Sequence, residues 1–277
     1  DAVVMRRALE YVKAFDGVVA QHSREPGLTE GAQLNEGELS GRLGLRGWPS
    51  VAEEAVIARD LLLAAHVSSR LHVCHVSTAG SVELIRWAKS KGWDVTAEVA
   101  PHHLLLTEDL AAGFDPRYKV DPPLRGREDV EALRTALADG TIDAVATDHA
   151  PQPVEDKECE WDAAAPGMLG LETALSVVQA AVVDTGLLDW AGVADRMALR
   201  PARIGRCDRG PHAQGRPLAA GEPANVVLVD PAASRVVEGR AMASLSHNTP
   251  YEGMKLPGRV VATFLRGRPT VLDGAVA

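Results

Sequence analysis

The chain has 277 residues, 46% of them hydrophobic and 24% charged, a composition that excludes a disordered polypeptide. With 38 acidic against 29 basic side chains the formal net charge is −9, which disfavours a phosphate backbone and removes nucleic acid from the expected partners. No apolar run is long enough to cross a bilayer, and the opening residues resemble neither a signal nor a transit peptide. Three widely spaced cysteines, Cys74, Cys159 and Cys207, imply no disulfide framework, so we expect a cytoplasmic protein with reduced thiols and no membrane partner.

Apolar residues at helical spacing predict a helix from Met5 to Phe15 closed by Gly17, then a buried strand at Val18-Val19-Ala20 ending at His22. A second helix spans Val51 to His66, with Ser50 as N-cap and Glu53 as its capping-box partner. Leu71 to Val76 reads as the next strand, and Ser77 or Thr78 caps a helix running to about Lys91. Asp94 to Val99 alternates as a third strand, Asp129 to Ala138 is helical, Asp143 to Thr147 is a fourth strand, and a long helix runs from about Leu169 to Asp184.

Four consecutive strand–helix units predict a parallel sheet with helices outside it, an α/β architecture of the doubly wound or barrel kind. Beyond about residue 200 the chain becomes rich in Gly and Pro, and Asn225 to Val229 and Arg259 to Leu265 read as strands, the latter turning through Arg266-Gly267-Arg268 into Thr270-Val271-Leu272. We therefore expect residues 1–200 to form the α/β part and residues 201–277 a loop-rich segment with a small β appendage.

Polar residues cluster just past the strand ends, where parallel α/β folds place their active sites. His22, His75 and Asp148 each end a predicted strand, and imidazole and carboxylate are ordinary zinc ligands. Asp148 either binds metal and shuttles a proton from an attacking water or caps the following loop as an Asx-turn. His72 and His75 are three apart, so strand alternation places them on opposite faces, and His75 is the one expected in the site. His102 and His103, adjacent and therefore opposed, are expected to be structural. The Asp121-Pro122-Pro123-Leu124-Arg125 run either presents Asp121 or Arg125 rigidly to a ligand or serves as a stiff connector with a solvated Arg. Pro166-Gly167-Met168-Leu169-Gly170 opens the long helix, where free backbone N–H groups could meet a carboxylate or carbonyl.

Several segments carry a resemblance: His22-Ser-Arg-Glu, Leu71 to His75 with Val76-Ser-Thr-Ala-Gly, Glu98-Val-Ala-Pro-His-His-Leu, Asp121-Pro-Pro-Leu-Arg, Ala146-Thr-Asp-His-Ala-Pro and Asn248-Thr-Pro-Tyr-Glu-Gly. In this order, and through nearly the whole chain, the sequence resembles the dihydroorotases of the bacterial class I type within the amidohydrolase superfamily. The resemblance implies a (β/α)8 TIM-type barrel and a zinc-dependent cyclic amide hydrolase that reversibly converts N-carbamoyl-L-aspartate to L-dihydroorotate in pyrimidine biosynthesis. It implies two zinc ions in the family, with His22 and His75 binding one, and Asp148 binding the other and acting as general base and acid. Substrate contacts would fall on Asp121, Gln152, Pro166 and Gly167.

The family's N-terminal His-x-His pair and bridging Asp have no counterpart here, so the expectation is an incomplete chain holding the last four strand–helix units and at most a partial zinc site. Positions 121 and 152, usually Asn and His in the family pattern, are Asp121 and Gln152, changes expected to weaken substrate binding. A half barrel should also expose two parallel edges and apolar sheet surface, so that the chain aggregates or needs a partner half. A homo-oligomer or an aspartate transcarbamoylase is the partner that the resemblance suggests. The alternative function is a non-catalytic dihydroorotase-like scaffold for aspartate transcarbamoylase; a related cyclic amidase such as an allantoinase or dihydropyrimidinase is a further reading.

Overall fold

In the computed structural model, which describes residues 1–210 and 213–277, the chain begins with α1 (Ala2–Lys13), started by Asp1, whose Oδ1 accepts from the backbone N–H groups of Val3 and Val4. This helix ends differently from the expectation. Asp16, not Gly17, takes the left-handed conformation at φ 57°, while Gly17 N–H donates to the Val12 carbonyl at 2.9 Å. Strand β1 (Val18–Gln21) follows, and the loop after it holds α2 (Pro26–Thr29), β2 (Leu34–Asn35), α3 (Glu38–Leu43) and β3 (Gly47–Trp48), with β2 and β3 paired in parallel.

Next come α4 (Val51–Val67), β4 (Arg70–Val73), α5 (Ala79–Ser90), β5 (Val95–Val99), the short α6 (Pro101–Leu105), α7 (Arg127–Asp139) and β6 (Ala144–Val145). Ser50 precedes α4 but is already helical (φ −56°, ψ −36°), so its side chain caps nothing, and Glu53 turns inward to other partners rather than completing a capping box. Thr78 is the cap of α5, its Oγ1 accepting from Ser81 N–H at 3.1 Å. The helix expected from Leu169 instead begins at α8 (Ala174–Val178) and continues as a π-helical turn over Gln179–Val183; α9 (Trp190–Ala194) and α10 (Arg200–Ile204) flank a second such turn.

Strands β1, β4, β5 and β6 form one parallel sheet in that order, with Val19 opposite Leu71 and Leu71 opposite Val95. Val19, Leu71, Val73, Val95, Ala97 and Val99 face the helices and pack against Leu9 of α1, Ile57 and Leu61 of α4, Ile85 of α5 and Leu133 and Leu137 of α7. Side chains alternate along a strand, so Ala20, His72, Thr96 and Glu98 face the other way. By the same alternation Val18 and Ala144 also lie on that face, which is thus mixed, apolar at Val18, Ala20 and Ala144 and polar at His72, Thr96 and Glu98. The outer edges of β1 and β6 carry no further strand among the described residues.

The C-terminal strands β7 (Val226–Val236), β8 (Lys255–Leu265), β9 (Arg268–Leu272) and β10 (Ala275–Val276) make an antiparallel sheet. Arg266 and Gly267 both have positive φ (52° and 78°), the geometry of the two-residue hairpin turn between β8 and β9. Val237, Tyr251 and Leu256 pack with Leu106, Val120, Leu124, Met168 and Val177, so the segment between β7 and β8 joins the α/β part through a shared core. No helix among the described residues is long and apolar enough to cross a membrane.

Candidate active site

His22 follows β1 and His75 lies two residues past β4, and the structure brings them together: His22 Nδ1 and His75 Nε2 are 3.0 Å apart. His75 has φ 34°, outside the range of a continuing strand, and this kink breaks the alternation that separates His72 from His75 in a regular ladder. His72 consequently shares the polar face with His75 instead of opposing it, its Nδ1 at 2.8 Å from Thr96 Oγ1 and its Nε2 at 3.0 Å from Glu98 Oε2.

Asp148, after β6, also has positive φ at 45°. Its carboxylate makes no hydrogen bond to the backbone that an Asx-turn requires; Oδ2 instead stands 3.9 Å from His102 Nε2. Burial pushes the Asp148 carboxyl above the usual range, against the pull of His75 and then His22. Partial burial, reinforced by His75, holds the His22 ring below its ordinary value, and burial takes His102 down to about 3. These rings are neutral at physiological pH, the form in which imidazole binds a cation.

His102 and His103 are both buried, at 2% and 1% exposure. Pro101 at the first turn of α6 turns the chain directly after β5 and carries both rings inward. His103 Nε2 lies 3.2 Å from the carbonyls of Pro122 and Pro123, securing the strap that bears Asp121. Asp121 Oδ1 is 3.5 Å from His22 Nε2, and Asp121 Oδ2 accepts from Arg24 Nη1 at 2.7 Å. Arg125, at the end of the strap, is neither solvated nor turned to a ligand. It is 1% exposed and donates to Ser77 Oγ, Asn35 Oδ1 and the Trp48 carbonyl.

Gln152 Nε2 donates to the Pro166 carbonyl at 3.0 Å, while Pro166 is exposed and Gly167 buried. Gly167 has φ 135°, and a Cβ there would meet Ala150 Cβ at 2.9 Å, so this close approach requires glycine. The N–H groups of residues 167–170 are not a free helix start. Gly167 donates to Lys119 O, Leu169 to Asn248 O, and Gly170 to His149 Nδ1. Asn248, 4% exposed, closes the region: Nδ2 donates to Ala150 O at 2.9 Å and Gly167 O at 3.2 Å, and Oδ1 accepts from Gln152 N–H at 3.3 Å. A cavity of about 910 Å³ lies alongside, lined by Gln152 and Asn248 together with Arg117, Lys157, Arg240 and His247; none of His22, His75, His102 or Asp148 lines it.

Two groupings on this face bear on metal binding. His72, Cys74 and Glu98 place their ligand atoms within 4.8 Å of one another. This trio is closed on itself by the His72–Glu98 contact, and burial with Glu98 beside it pushes the Cys74 thiol up to about 12, so sulfur holds its proton. In the other grouping, His75 Nδ1 and His102 Nε2 are buried ring nitrogens without a hydrogen-bond partner, so nitrogen donors stand ready near the Asp148 carboxylate. That donor set suits zinc. Spacing pointed to His22, His75 and Asp148 but missed His102, whose approach to Asp148 depends on the packing of α6, and Asn248, which comes from a loop about a hundred residues further along.

The dihydro-orotase-like family profile matches residues 2–81. The chain is 69% identical over 274 residues to the dihydroorotase of Streptomyces coelicolor, covering 99% of this chain and 63% of that protein, and 52% identical to the dihydroorotase of Mycobacterium tuberculosis over all of this chain and 63% of that one. Among solved structures it superposes on an L-hydantoinase (dihydropyrimidinase) from Arthrobacter aurescens with a TM-score of 0.90 and 30% identity, over all of this chain and 62% of that one. The chain spans less than two thirds of the length of the curated relatives it matches.

Proposed function

We propose that this chain carries part of the active site of a zinc-dependent dihydroorotase, acting in the reversible cyclisation of N-carbamoyl-L-aspartate to L-dihydroorotate in the cytoplasm, with residues 1–200 as the last half of a (β/α)8 barrel and residues 201–277 as its appendage. The observation that carries this reading is the meeting of His22 and His75, from two different strand ends, within reach of the Asp148 charge. His22, His75 and Asp148 would hold zinc, and the bound ion would supply a water acidic enough to attack near neutral pH. Asp148, with its carboxyl raised by burial, is suited to accept a proton at Oδ2 and return it to the amide nitrogen on ring opening, with the reverse transfer on closure. Asp121, Gln152, Pro166 and Gly167 would contact substrate. The enzyme reading is tested by a zinc-dependent cyclisation assay on this chain and on a protein extended to the length of its relatives. The extended protein should turn over, and Asp148→Ala should abolish turnover while leaving the circular dichroism spectrum unchanged; near-normal turnover in that variant sinks the role given to Asp148.

A second reading, a non-catalytic scaffold for aspartate transcarbamoylase, is favoured by the engagement of both altered side chains: Asp121 is paired with Arg24 and Gln152 is bonded to the backbone of Pro166. An extended protein that binds zinc, fails to turn over and co-elutes with aspartate transcarbamoylase would establish it.

A further inference from the structure

We propose that Glu53, Ser77 and Arg125 are positioning residues, a buried bridge of opposite charges linked by one hydroxyl that sets where the His75 turn stands against the Asp121 strap. The inference rests on the reading of His22 and His75 as metal ligands given above. Strand β4 ends at Val73, so the sheet ladder does not itself fix His75. The backbone on either side is held by Cys74 N–H to Gln21 O at 3.0 Å and Val76 N–H to Glu98 O at 2.9 Å. The next residue, Ser77, is fully buried, and both its N–H and its hydroxyl donate to the Glu53 carboxylate on α4. Ser81 Oγ adds a third donor at 2.7 Å.

The same Ser77 oxygen accepts from Arg125 Nε at 3.1 Å. Arg125 Nη1 then reaches Asn35 Oδ1 at 2.8 Å and the Trp48 carbonyl at 2.9 Å, and Asn35 Nδ2 donates to Glu108 Oε2 at 3.0 Å. Glu108 N–H returns to the Arg125 carbonyl, closing the circuit. One guanidinium and one carboxylate thereby lock together α4, the turn after β4, the strap from Asp121 to Arg125 and the loop around β2 and β3. The circuit reaches His22 as well, because Arg24 lies over the Trp48 ring and pairs with Asp121, which faces His22. Each charge is almost wholly enclosed (Glu53 3% and Arg125 1% exposed), and Glu53 acts on Arg125 more strongly than Asp129, Glu54 or Glu108, so removing it takes away the foremost counter-charge and lets the turn and the strap move apart.

The test compares three variants of the 277-residue chain: Ser77→Ala, which removes the linking hydroxyl, Glu53→Gln, which removes the charge at constant shape, and Asp60→Asn as a control. Asp60 is also a buried carboxylate on α4, but it pairs with Arg59 away from the turn. Zinc affinity is read by competition with a chromophoric chelator, and the His22–His75 separation by crystallography. Ser77→Ala and Glu53→Gln are expected to weaken zinc binding about 10- to 100-fold, the usual effect of losing a partner that orients a ligand. The 3.0 Å approach of His22 and His75 should open in Ser77→Ala, and Asp60→Asn should lower thermal stability with zinc affinity intact. Retention of both affinity and separation in Ser77→Ala overturns the proposal, as does an equal loss of affinity in Asp60→Asn. Failure of the unaltered chain to bind zinc would count against the metal reading instead, and the crystallographic comparison would then decide the positioning claim alone.

Discussion

Asn248→Asp is nearly isosteric, so it opens no cavity, yet it inverts the chemistry of one end of the side chain. In the native protein Nδ2 donates to the carbonyls of Ala150 and Gly167 at 2.9 and 3.2 Å, at a residue only 4% exposed. In the variant an oxygen faces those two oxygens, so two hydrogen bonds are lost and two carbonyls are left without their donor. At about 1 kcal/mol per bond, with a further penalty for unsatisfied buried groups, the loss is about 3 kcal/mol. A chain of this size loses roughly 2–4 °C of Tm per kcal/mol, so the transition should fall by about 6–12 °C near pH 7.5. Enclosure raises the new carboxyl's pKa in the folded state, so the penalty is complete above that value and shrinks as pH falls, when the protonated acid can donate once. Differential scanning calorimetry at neutral and acid pH measures both effects. A Tm within about 1 °C of the native chain at neutral pH would refute the argument that this amide fastens the loops around Gly167.

Two further expectations follow from burial and from backbone clearance. Burial holds His102 down at about 3 and His103 well below its ordinary value, so the unfolded chain takes up protons below about pH 6.5 that the folded chain refuses. Stability is therefore complete above that pH and falls beneath it by up to about 1.4 kcal/mol per pH unit for each ring; equal urea midpoints at pH 7 and pH 5 would contradict this. A Cβ at Gly170 would fall inside contact distance of the Thr147 carbonyl oxygen, next to Asp148, whereas one at Gly41, within α3, meets nothing within 4 Å. Gly170→Ala should cost about 1–3 kcal/mol and Gly41→Ala should be neutral or stabilising by about 0.5–1 kcal/mol, and urea denaturation of the pair showing no difference would remove the steric argument.

The strand–helix alternation was legible because parallel strands buried against helices need runs such as Leu71-His72-Val73 and Val95 to Val99, and because His22 and Asp148 sit where those runs stop. Less legible were residues whose roles depend on what lies across the fold. Glu53 has the spacing of a capping-box residue, but Ser77 and Ser81 lie within its reach and Ser50 is already helical. Arg125 reads from sequence either as presented to a ligand or as solvated on a stiff connector, and the packing of the loop around Asn35 and Trp48 instead encloses it. Alternation along a strand separated His72 from His75, and the positive φ of His75, which no residue type there announces, reunites them. His102 looked structural for want of a visible partner, since Asp148 comes from another strand.

The amide that fastens the Gly167 loop is supplied by the stretch between β7 and β8, so the site depends on chain that leaves the ribosome long after its histidines. The four parallel strands can assemble during synthesis, but the loops bearing Gln152 and Gly167 stay without their fastener until Asn248 has emerged and the neighbouring Tyr251 has reached its place beside Met168 and Val177. Molecules released early would keep His22, His75 and Asp148 and lack this closure. The order of translation would thus make completion of the antiparallel sheet a late checkpoint on forming the site.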